Sequence, residues 1–173
     1  IIGCGNISGI YLENLTRTFA NTEVFAISDI SEERMAAAAD KYGIANQWTA
    51  EQILESAEIE IVLNLTTPGD HFRICRLALE HGKHVYVEKP VAVDLEDARA
   101  LVAMAQERGR VLAVGHQERA VFRSMGLFDL PERPSSIEAV RRGTPATRNL
   151  DVSVVLDLMI HDLDLALALV GSE

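Results

Sequence analysis

The stretch Ile1-Ile2-Gly3-Cys4-Gly5-Asn6-Ile7-Ser8-Gly9 decides the fold, because it places a glycine-rich turn directly after an apolar segment. Gly3 permits a tight turn, and Gly5 lets the backbone approach a pyrophosphate. A helix that begins after such a turn directs its first amide groups at an anion. Ser8 stands where the G-x-G-x-x-G pattern has its third glycine, and it is small enough for close packing. The pattern predicts a dinucleotide-binding loop, with an ordinary strand-to-helix turn as the alternative.

Strand and helix patterns alternate over the first two thirds of the chain. Strands are predicted at 23–28, 59–65, 84–87 and 111–114, and helices at 10–19, 31–43, from 49 onward, at 70–80 and at 94–108. Ser31 is a predicted helix cap, and Thr49 with Gln52 forms a predicted capping box. Alternation at this spacing requires βαβ units with parallel strands. The expected fold class is therefore α/β, with a Rossmann-type doubly wound parallel sheet over residues 1–117.

The pattern changes after Gly115. Residues 128–136 hold two prolines and predict a loop, residues 137–140 predict one further strand, and residues 154–169 predict a helix. We expect these elements to begin an α+β substrate domain over residues 118–173. Only two residues precede Gly3, and the chain stops just after the last predicted helix. We therefore expect both ends to be incomplete.

Asp29 lies 20 residues beyond Gly9, at the end of the second predicted strand. A carboxylate at this place can accept hydrogen bonds from both ribose hydroxyls, and it would repel a 2′-phosphate. The expected cofactor is therefore NAD, with NADP disfavoured. The alternative is an aspartate that leads the following helix, although Ser31 already occupies the capping position.

Two further groups of polar residues follow predicted strands, at the edge of the sheet where ligands bind in such folds. The first group is Thr66, Thr67, Pro68 and His71, and the second contains Lys89. Lys89 can hydrogen-bond a substrate oxygen and stabilise negative charge that develops there. The alternatives are a polar turn, the first turn of a helix and a solvated loop lysine.

Asp157 and His161 are four residues apart in the last predicted helix and therefore share one face. A histidine there can act as a general base near neutral pH, and the aspartate can orient it or raise its proton affinity. Two alternatives stay open: an ion pair that stabilises the helix, and a metal site formed with Asp164. The sequence holds no matching Cys/His cluster elsewhere, so no metal is expected.

The composition argues against several functional classes. A net charge of −10 over 173 residues, with no run of basic residues, opposes nucleic-acid binding. The apolar stretches are short and interrupted by charges, so neither a membrane span nor a signal peptide is predicted. Two cysteines, Cys4 and Cys75, cannot form a disulfide framework. We therefore expect a soluble protein of the reducing cytoplasm.

The motifs resemble, in this order and over essentially the whole chain, those of the Gfo/Idh/MocA family of NAD(P)-dependent oxidoreductases. The most specific stretch is Gly-Lys-His-Val-Tyr-Val-Glu-Lys-Pro at 82–90; the others are Gly3–Ser8, Asp29, Thr66–Pro68 with His71, Val114–Arg119 and Asp157–Asp162. The sequence departs from the family at Ala120, where Phe is frequent, and at 152–155, where glycines are common. The stretches 115–119 and 151–164 are similar to the branch that oxidises the 3-hydroxyl of UDP-N-acetylglucosamine.

The resemblance implies hydride transfer between nicotinamide and a secondary hydroxyl of a sugar, nucleotide sugar or cyclitol. It implies that Lys89, Asp157 and His161 are catalytic, and that Lys89, Arg119 and His161 contact the substrate. The residues it implies for cofactor binding are Gly3, Gly5, Asn6, Ile7, Asp29, Ile30, Thr66, Thr67, Pro68, His71 and Glu88. It further implies a homo-oligomer formed through a C-terminal sheet. Two alternatives are a non-catalytic dinucleotide sensor of the same fold and a methyltransferase with a similar glycine loop.

Overall fold

The structure, a computed structural model, describes residues 1–142 and 153–171. The chain divides into two compact units, Ile1–Val114 and Gly115–Glu173. The boundary predicted from the sequence lay three residues later, between 117 and 118. No helix in the described ranges is long and apolar enough to cross a lipid bilayer.

The first unit alternates strands and helices, as the sequence predicts. Its strands are β1 (Ala26–Ile27), β2 (Asn46–Gln47), β3 (Ile61–Asn64), β4 (His84–Glu88) and β5 (Leu112–Gly115), the last of which ends at the boundary between the units. Its helices are α1 (Ser8–Arg17), α2 (Glu32–Tyr42), α3 (Ala50–Glu55), α4 (Pro68–Glu80) and α5 (Leu95–Glu107).

A single short segment joins the strands at the centre of the sheet. β1 pairs with β2 and β3 pairs with β4, both in parallel, and β5 lies on the other side of β4. Ile2 forms parallel bridges to both Ser28 and Asn64. The segment 1–3 therefore stands between the two groups of strands and takes the place of a first strand. The resulting order, β2-β1-segment-β3-β4-β5, is that of the Rossmann fold.

The two faces of this sheet carry separate apolar cores. Successive residues of a strand point to opposite faces, so Ile1 and Ile2 are buried in different clusters. The cluster of Ile1 contains residues from α1 and α2, among them Leu12 and Ala39. The cluster of Ile2 contains residues from the other three helices, among them Ile53, Ile74 and Leu101. Helices thus cover both faces of the sheet, as is usual for a parallel sheet.

Side-chain caps begin two helices where the sequence predicts them. The Arg34 amide donates to Ser31 Oγ (3.3 Å) at the start of α2. At the start of α3, Thr49 and Gln52 each accept a hydrogen bond from the other's backbone amide. Gly43 ends α2 in the left-handed conformation, with φ of 70°. Each cap satisfies a helix-terminal group that would otherwise need water, so these local signals place the helix boundaries well.

Strand β1 is shorter than the strand predicted at 23–28. Asn46 Nδ2 donates to the Phe25 carbonyl (2.8 Å), so a side chain takes the acceptor that a longer strand pair would use. Backbone pairing continues at Ile27, whose carbonyl accepts from the Trp48 amide (3.0 Å). Strand β2 was not predicted, because Asn46-Gln47 contains none of the β-branched or aromatic residues that favour strands.

The second unit is helical in much of its described part. It contains α6 (Gln117–Ser124), a π-helical turn (Val155–Met159) and α7 (Ile160–Val170). The π turn and α7 together confirm the helix predicted at 154–169, and residues 128–136 form the predicted loop. Helix α6 was not predicted, because its eight residues are too few to show a helical period.

The strand predicted at 137–140 is wrong. These residues form no strand in the structure, and Val140 is 69% exposed. A strand needs a neighbour to satisfy its backbone amides and carbonyls, and no described residue beyond β5 belongs to a strand. The short apolar run that suggested a strand is therefore insufficient by itself.

Replacing Gly3 with alanine should strongly destabilise the first unit. Gly3 has φ of 103°, and a Cβ added to it would lie 2.5 Å from the Leu65 carbonyl oxygen. Backbone strain and overpacking together should lower the free energy of unfolding by roughly 2–5 kcal/mol in urea denaturation. Gly5→Ala is the matched control, because a Cβ at Gly5 meets no heavy atom within 4 Å. An equal loss in both variants would contradict this explanation.

Candidate functional site

The glycine loop leaves open space beside the N-terminus of α1. A Cβ at Gly5 would meet no heavy atom within 4 Å. Ser8 is buried, and its hydroxyl donates to the Gly5 carbonyl (2.7 Å), so serine fills the third position of the motif without strain. Asn6 and Ile7 are exposed, and in the described structure α1 has no side-chain cap and no acidic residue in its first turn. The Ser8 amide donates to the Gly5 carbonyl (3.0 Å). The positive end of the helix dipole has no acidic side chain beside it, and it therefore favours an anion such as phosphate.

Asp29 is hydrogen-bonded to the glycine loop itself. Its Oδ2 accepts from the Cys4 amide (2.6 Å), and its Oδ1 accepts from the Ser31 amide (2.7 Å) and the Arg34 guanidinium (2.7 Å). Burial of this side chain would raise the pKa of its carboxyl, but the three donors outweigh burial and hold the pKa below its usual range. The carboxylate is thus ionised, and one of its about four acceptor positions remains for a further donor.

Arg34 is a residue of this site that the sequence analysis missed. Its guanidinium binds Asp29, yet its side chain is 53% exposed, so a cation stands beside the carboxylate. An arginine near this strand end accommodates the 2′-phosphate in proteins that bind NADP. Ile30, a predicted cofactor contact, is fully exposed next to Asp29. The sequence offered no distinguishing signal for Arg34, because an arginine in the first turn of a helix is common on protein surfaces.

The end of β3 is shaped by a buried asparagine. Asn64 Oδ1 accepts from the Thr66 hydroxyl (2.7 Å) and the Thr66 amide (3.3 Å), which turns the chain out of the strand. Thr67 is exposed at the N-cap position of α4, and Pro68 occupies the first turn of that helix. These predicted cofactor contacts therefore lie together at the carboxyl end of β3.

His71 links the ends of β3 and β4. Its side chain is buried, with Nδ1 2.6 Å from the Pro90 carbonyl oxygen and Nε2 3.1 Å from the Thr66 carbonyl oxygen. The sequence predicted His71 as a cofactor contact. In the structure both ring nitrogens lie within hydrogen-bonding distance of backbone carbonyls, so the ring joins two strand ends.

The end of β4 brings Lys89 together with two tyrosines that were not predicted. Glu88 accepts hydrogen bonds from the Tyr11 hydroxyl and from the Lys89 amide (3.2 Å). The Tyr11 hydroxyl, on α1, also lies 3.0 Å from the Tyr86 hydroxyl. Lys89 is half-buried, and its bond to Pro90 is cis. No sequence spacing could have found the tyrosines, because Tyr11 and Glu88 are 77 residues apart.

In the second unit, Asp157 and His161 lie on either side of a change in helix type. Asp157 is half-buried in the π-helical turn, and His161 is buried at the start of α7. π-Helical turns are rare, and they frequently occur at functional sites. The sequence predicted the pair but gave no sign of the π turn.

Arg119 forms a bidentate ion pair with Asp164. The two hydrogen bonds measure 2.7 and 2.6 Å, and His116 Nδ1 lies 3.8 Å from the same carboxylate. The resemblance implied that Arg119 contacts the substrate; in the structure its guanidinium binds Asp164, while about half of its side chain is exposed. Asp164, a candidate metal ligand, is thus engaged by Arg119. In residues 1–142 and 153–171, no three His, Cys, Asp or Glu side chains are placed to hold a metal ion.

Comparison with known proteins identifies the family. The family model GFO_IDH_MocA, described as an oxidoreductase family with an NAD-binding Rossmann fold, matches residues 1–116. The chain belongs to this family. The matched range contains the glycine loop, Asp29, the end of β3 and Lys89.

Individual relatives agree with this family. The chain is 34% identical to UDP-N-acetylglucosamine 3-dehydrogenase from Acidithiobacillus ferrooxidans. The alignment covers 100% of this chain and 54% of that enzyme. A solved structure of that enzyme, 35% identical, matches with a TM-score of 0.84 over 99% of this chain and 55% of the other. The chain is also 26% identical to myo-inositol 2-dehydrogenase from Thermotoga maritima, over 100% of this chain and 54% of the relative.

A further solved structure with lower similarity contains NADP⁺. Biliverdin reductase from Synechocystis, solved with biliverdin and NADP⁺, is 28% identical, with a TM-score of 0.64 over 72% of this chain and 41% of that one. The chain spans about half the length of the curated relatives it matches.

Acid should remove the stabilising contribution of Asp29. Folding lowers the pKa of this carboxyl, so its ionised form stabilises the folded state. The stabilisation is fully present above the pKa of the unfolded chain, about 3.9, and it is lost as the pH falls through the lower pKa of the folded state. Asp29→Asn should therefore lower the free energy of unfolding by roughly 1–3 kcal/mol at neutral pH and by less at about pH 3. Urea denaturation at both pH values measures the difference.

Asp70→Asn is the control for this experiment. Asp70 is about half exposed and pairs with Arg73 (3.1 Å) on the surface of α4. Its replacement should change stability little at either pH. A loss for Asp29→Asn that is the same at both pH values would contradict the assigned ionisation.

Proposed function

We propose that the full-length protein is an NAD-dependent oxidoreductase that transfers a hydride between nicotinamide and a secondary hydroxyl of a sugar, nucleotide sugar or cyclitol. The observation that carries this proposal is the direct hydrogen bond between the glycine loop and Asp29, which joins a phosphate-binding element to a ribose-binding carboxylate. Family membership supports the cofactor class. The substrate class is supported by two relatives, which are named for UDP-N-acetylglucosamine and for myo-inositol.

The residues of the first unit fit a dinucleotide. The open space at Gly5 and the uncapped start of α1 suit a pyrophosphate. Asp29 is held ionised and keeps an acceptor position for a ribose hydroxyl. Thr66 and Thr67 lie at the carboxyl end of β3, the edge where ligands bind in sheets of this type. When bound, the nicotinamide supplies the acceptor for the hydride that leaves the carbinol carbon as it becomes a carbonyl.

Three side chains would serve the substrate. Lys89 donates a hydrogen bond to the reacting oxygen and stabilises the negative charge that grows there as the hydroxyl loses its proton. His161 takes that proton on a ring nitrogen, and Asp157 orients the imidazole. The residue types, their match to the family motifs and the π turn at Asp157 support these roles.

Among the substrate classes, we propose a nucleotide sugar. The relative named for UDP-N-acetylglucosamine is 34% identical, against 26% for the relative named for myo-inositol. The test is a screen of UDP-sugars, free sugars and inositols with the full-length protein and NAD, followed by the absorbance of reduced nicotinamide. Tight NADH binding without turnover of any substrate would instead favour a dinucleotide sensor.

The Asp29–Arg34 pair should set a moderate preference for NADH over NADPH. The carboxylate repels a 2′-phosphate and the exposed guanidinium attracts it, so NADPH should bind weaker by about tenfold, as measured by nicotinamide fluorescence. Arg34→Ala should increase the difference between the NADH and NADPH affinities, because it removes the cation. Asp29→Ser should decrease that difference. Equal or tighter binding of NADPH by the unmodified protein would refute this prediction.

Lys89, Asp157 and His161 should act on the chemical step. Lys89→Ala and His161→Ala should each lower kcat by about 10²–10⁴, since each removes a proton-transfer or charge-stabilising partner. Asp157→Ala should cost less, because it orients the base without accepting the proton. Double variants should be less than additive, because the residues depend on one another.

His81→Ala provides the matched control, because His81 is an exposed histidine at the end of α4. Its kcat should equal that of the unmodified protein. If Asp157 and His161 form only a helix-stabilising pair, their loss would cost about 0.3–0.5 kcal/mol of stability and spare turnover. A near-normal kcat for His161→Ala would show that this simpler account is correct.

A further inference from the structure

A chain of hydrogen bonds runs from β4 through α1 and back to β4. The Tyr11 hydroxyl donates to Glu88 Oε1 and lies 3.0 Å from the Tyr86 hydroxyl, while Glu88 Oε2 accepts from the Lys89 amide (3.2 Å). The two tyrosine rings are packed edge to face, with centroids 5.6 Å apart. The side chains belong to the helix that follows the glycine loop and to the strand that ends at Lys89.

The number of protons fixes the direction of this chain. A tyrosine hydroxyl has one proton to donate, and that of Tyr11 is given to Glu88. Tyr86 must therefore be the donor to Tyr11. Burial and the hydrogen bonds with Glu88 and Tyr86 raise the pKa of Tyr11, so its hydroxyl remains protonated. The order is Tyr86 to Tyr11 to Glu88, and the carboxylate ends up with one oxygen held by a phenol and the other at the Lys89 amide.

The backbone of Lys89 is thus held from both neighbouring residues. On one side, the Glu88 carboxylate accepts from the Lys89 amide. On the other side, the Pro90 carbonyl is 2.6 Å from the buried His71 ring. A lysine side chain has four rotatable bonds, so fixing its backbone is one way in which the fold limits where the ammonium goes.

We propose that Tyr11, supported by Tyr86, is a positioning residue that acts through Glu88 to fix Lys89 at the active site. This inference rests on the proposed function, because it takes Lys89 to be the residue that contacts the reacting oxygen. It adds a direct mechanical connection between the cofactor-facing helix α1 and the substrate-facing lysine. The two hydroxyls act only by orienting Glu88 and Lys89, and they take no part in the transfer of the hydride or the proton.

The first test measures the Lys89 amide directly and needs no turnover. In the full-length protein, hydrogen–deuterium exchange at this amide, resolved by mass spectrometry with electron-transfer fragmentation, should become faster by about tenfold in Tyr11→Phe. Tyr42→Phe is the matched control, because the Tyr42 hydroxyl also bonds to α1, at the Gly9 carbonyl (3.1 Å), without contacting Glu88. Exchange at Lys89 should be unchanged in that variant.

The second test separates positioning from binding. Tyr11→Phe should lower kcat by about tenfold while NADH affinity and substrate KM change by less than about twofold, since only orientation is lost. Tyr86→Phe should show the same pattern with a smaller effect, because it acts one bond further away. In a Glu88→Ala background, Tyr11→Phe should have no additional effect on kcat.

The outcomes are distinguishable. Unchanged exchange at Lys89 in both Tyr11→Phe and Tyr86→Phe, or faster exchange with an unchanged kcat, would overturn the inference. A fall in kcat that persists undiminished in the Glu88→Ala background would also overturn it, because Tyr11 would then act by another route. A full-length protein that binds NADH, turns over no substrate and still shows faster exchange in Tyr11→Phe would refute the proposed function while leaving the hydrogen-bond chain established.

Discussion

The short segment 1–3 is hydrogen-bonded on both of its sides, and the first unit depends on this double pairing. On one side, the Ile2 amide donates to the Leu63 carbonyl (2.9 Å) and the Leu65 amide donates to the Ile2 carbonyl (2.8 Å). On the other side, Ser28 exchanges hydrogen bonds with Ile1 and Gly3 (2.9 and 2.8 Å). The same residues send alternate side chains into the two apolar cores. Three residues therefore hold together two groups of strands and two layers of helices.

This pairing also assembles the candidate site. Because the segment ends at Gly3, the glycine loop begins between the ends of β1 and β3, next to Asp29 and Thr66. Gly3 is required at this point, because the Leu65 carbonyl occupies the space a side chain would need. The sheet places the ends of these strands side by side, and the residues that we propose bind the cofactor lie in the loops that follow them.

The elements that the sequence predicts correctly are those specified by local chemistry. The helix caps at Ser31 and Thr49, the apolar run of β3 and the glycine loop each depend on a few adjacent residues. The elements that were predicted wrongly or missed depend on residues that are distant in the sequence. The strand at 137–140 failed because a strand depends on a partner elsewhere, and β1 was shortened by an asparagine about 20 residues away. Tyr11 and Tyr86 were missed because only the fold brings α1 to β4.

The hydrogen bond from the Cys4 amide to Asp29 has a consequence for cofactor engineering. A designer who exchanges the aspartate to admit NADP would treat it as an isolated specificity switch at the ribose. In this protein the same carboxylate accepts a hydrogen bond from the glycine loop, which we propose binds the pyrophosphate, so its removal leaves the Cys4 amide without this acceptor. Under the proposed function, cofactor selectivity and phosphate affinity are therefore coupled in a single side chain. A successful redesign has to supply a replacement acceptor for that amide as well as a new partner for the phosphate.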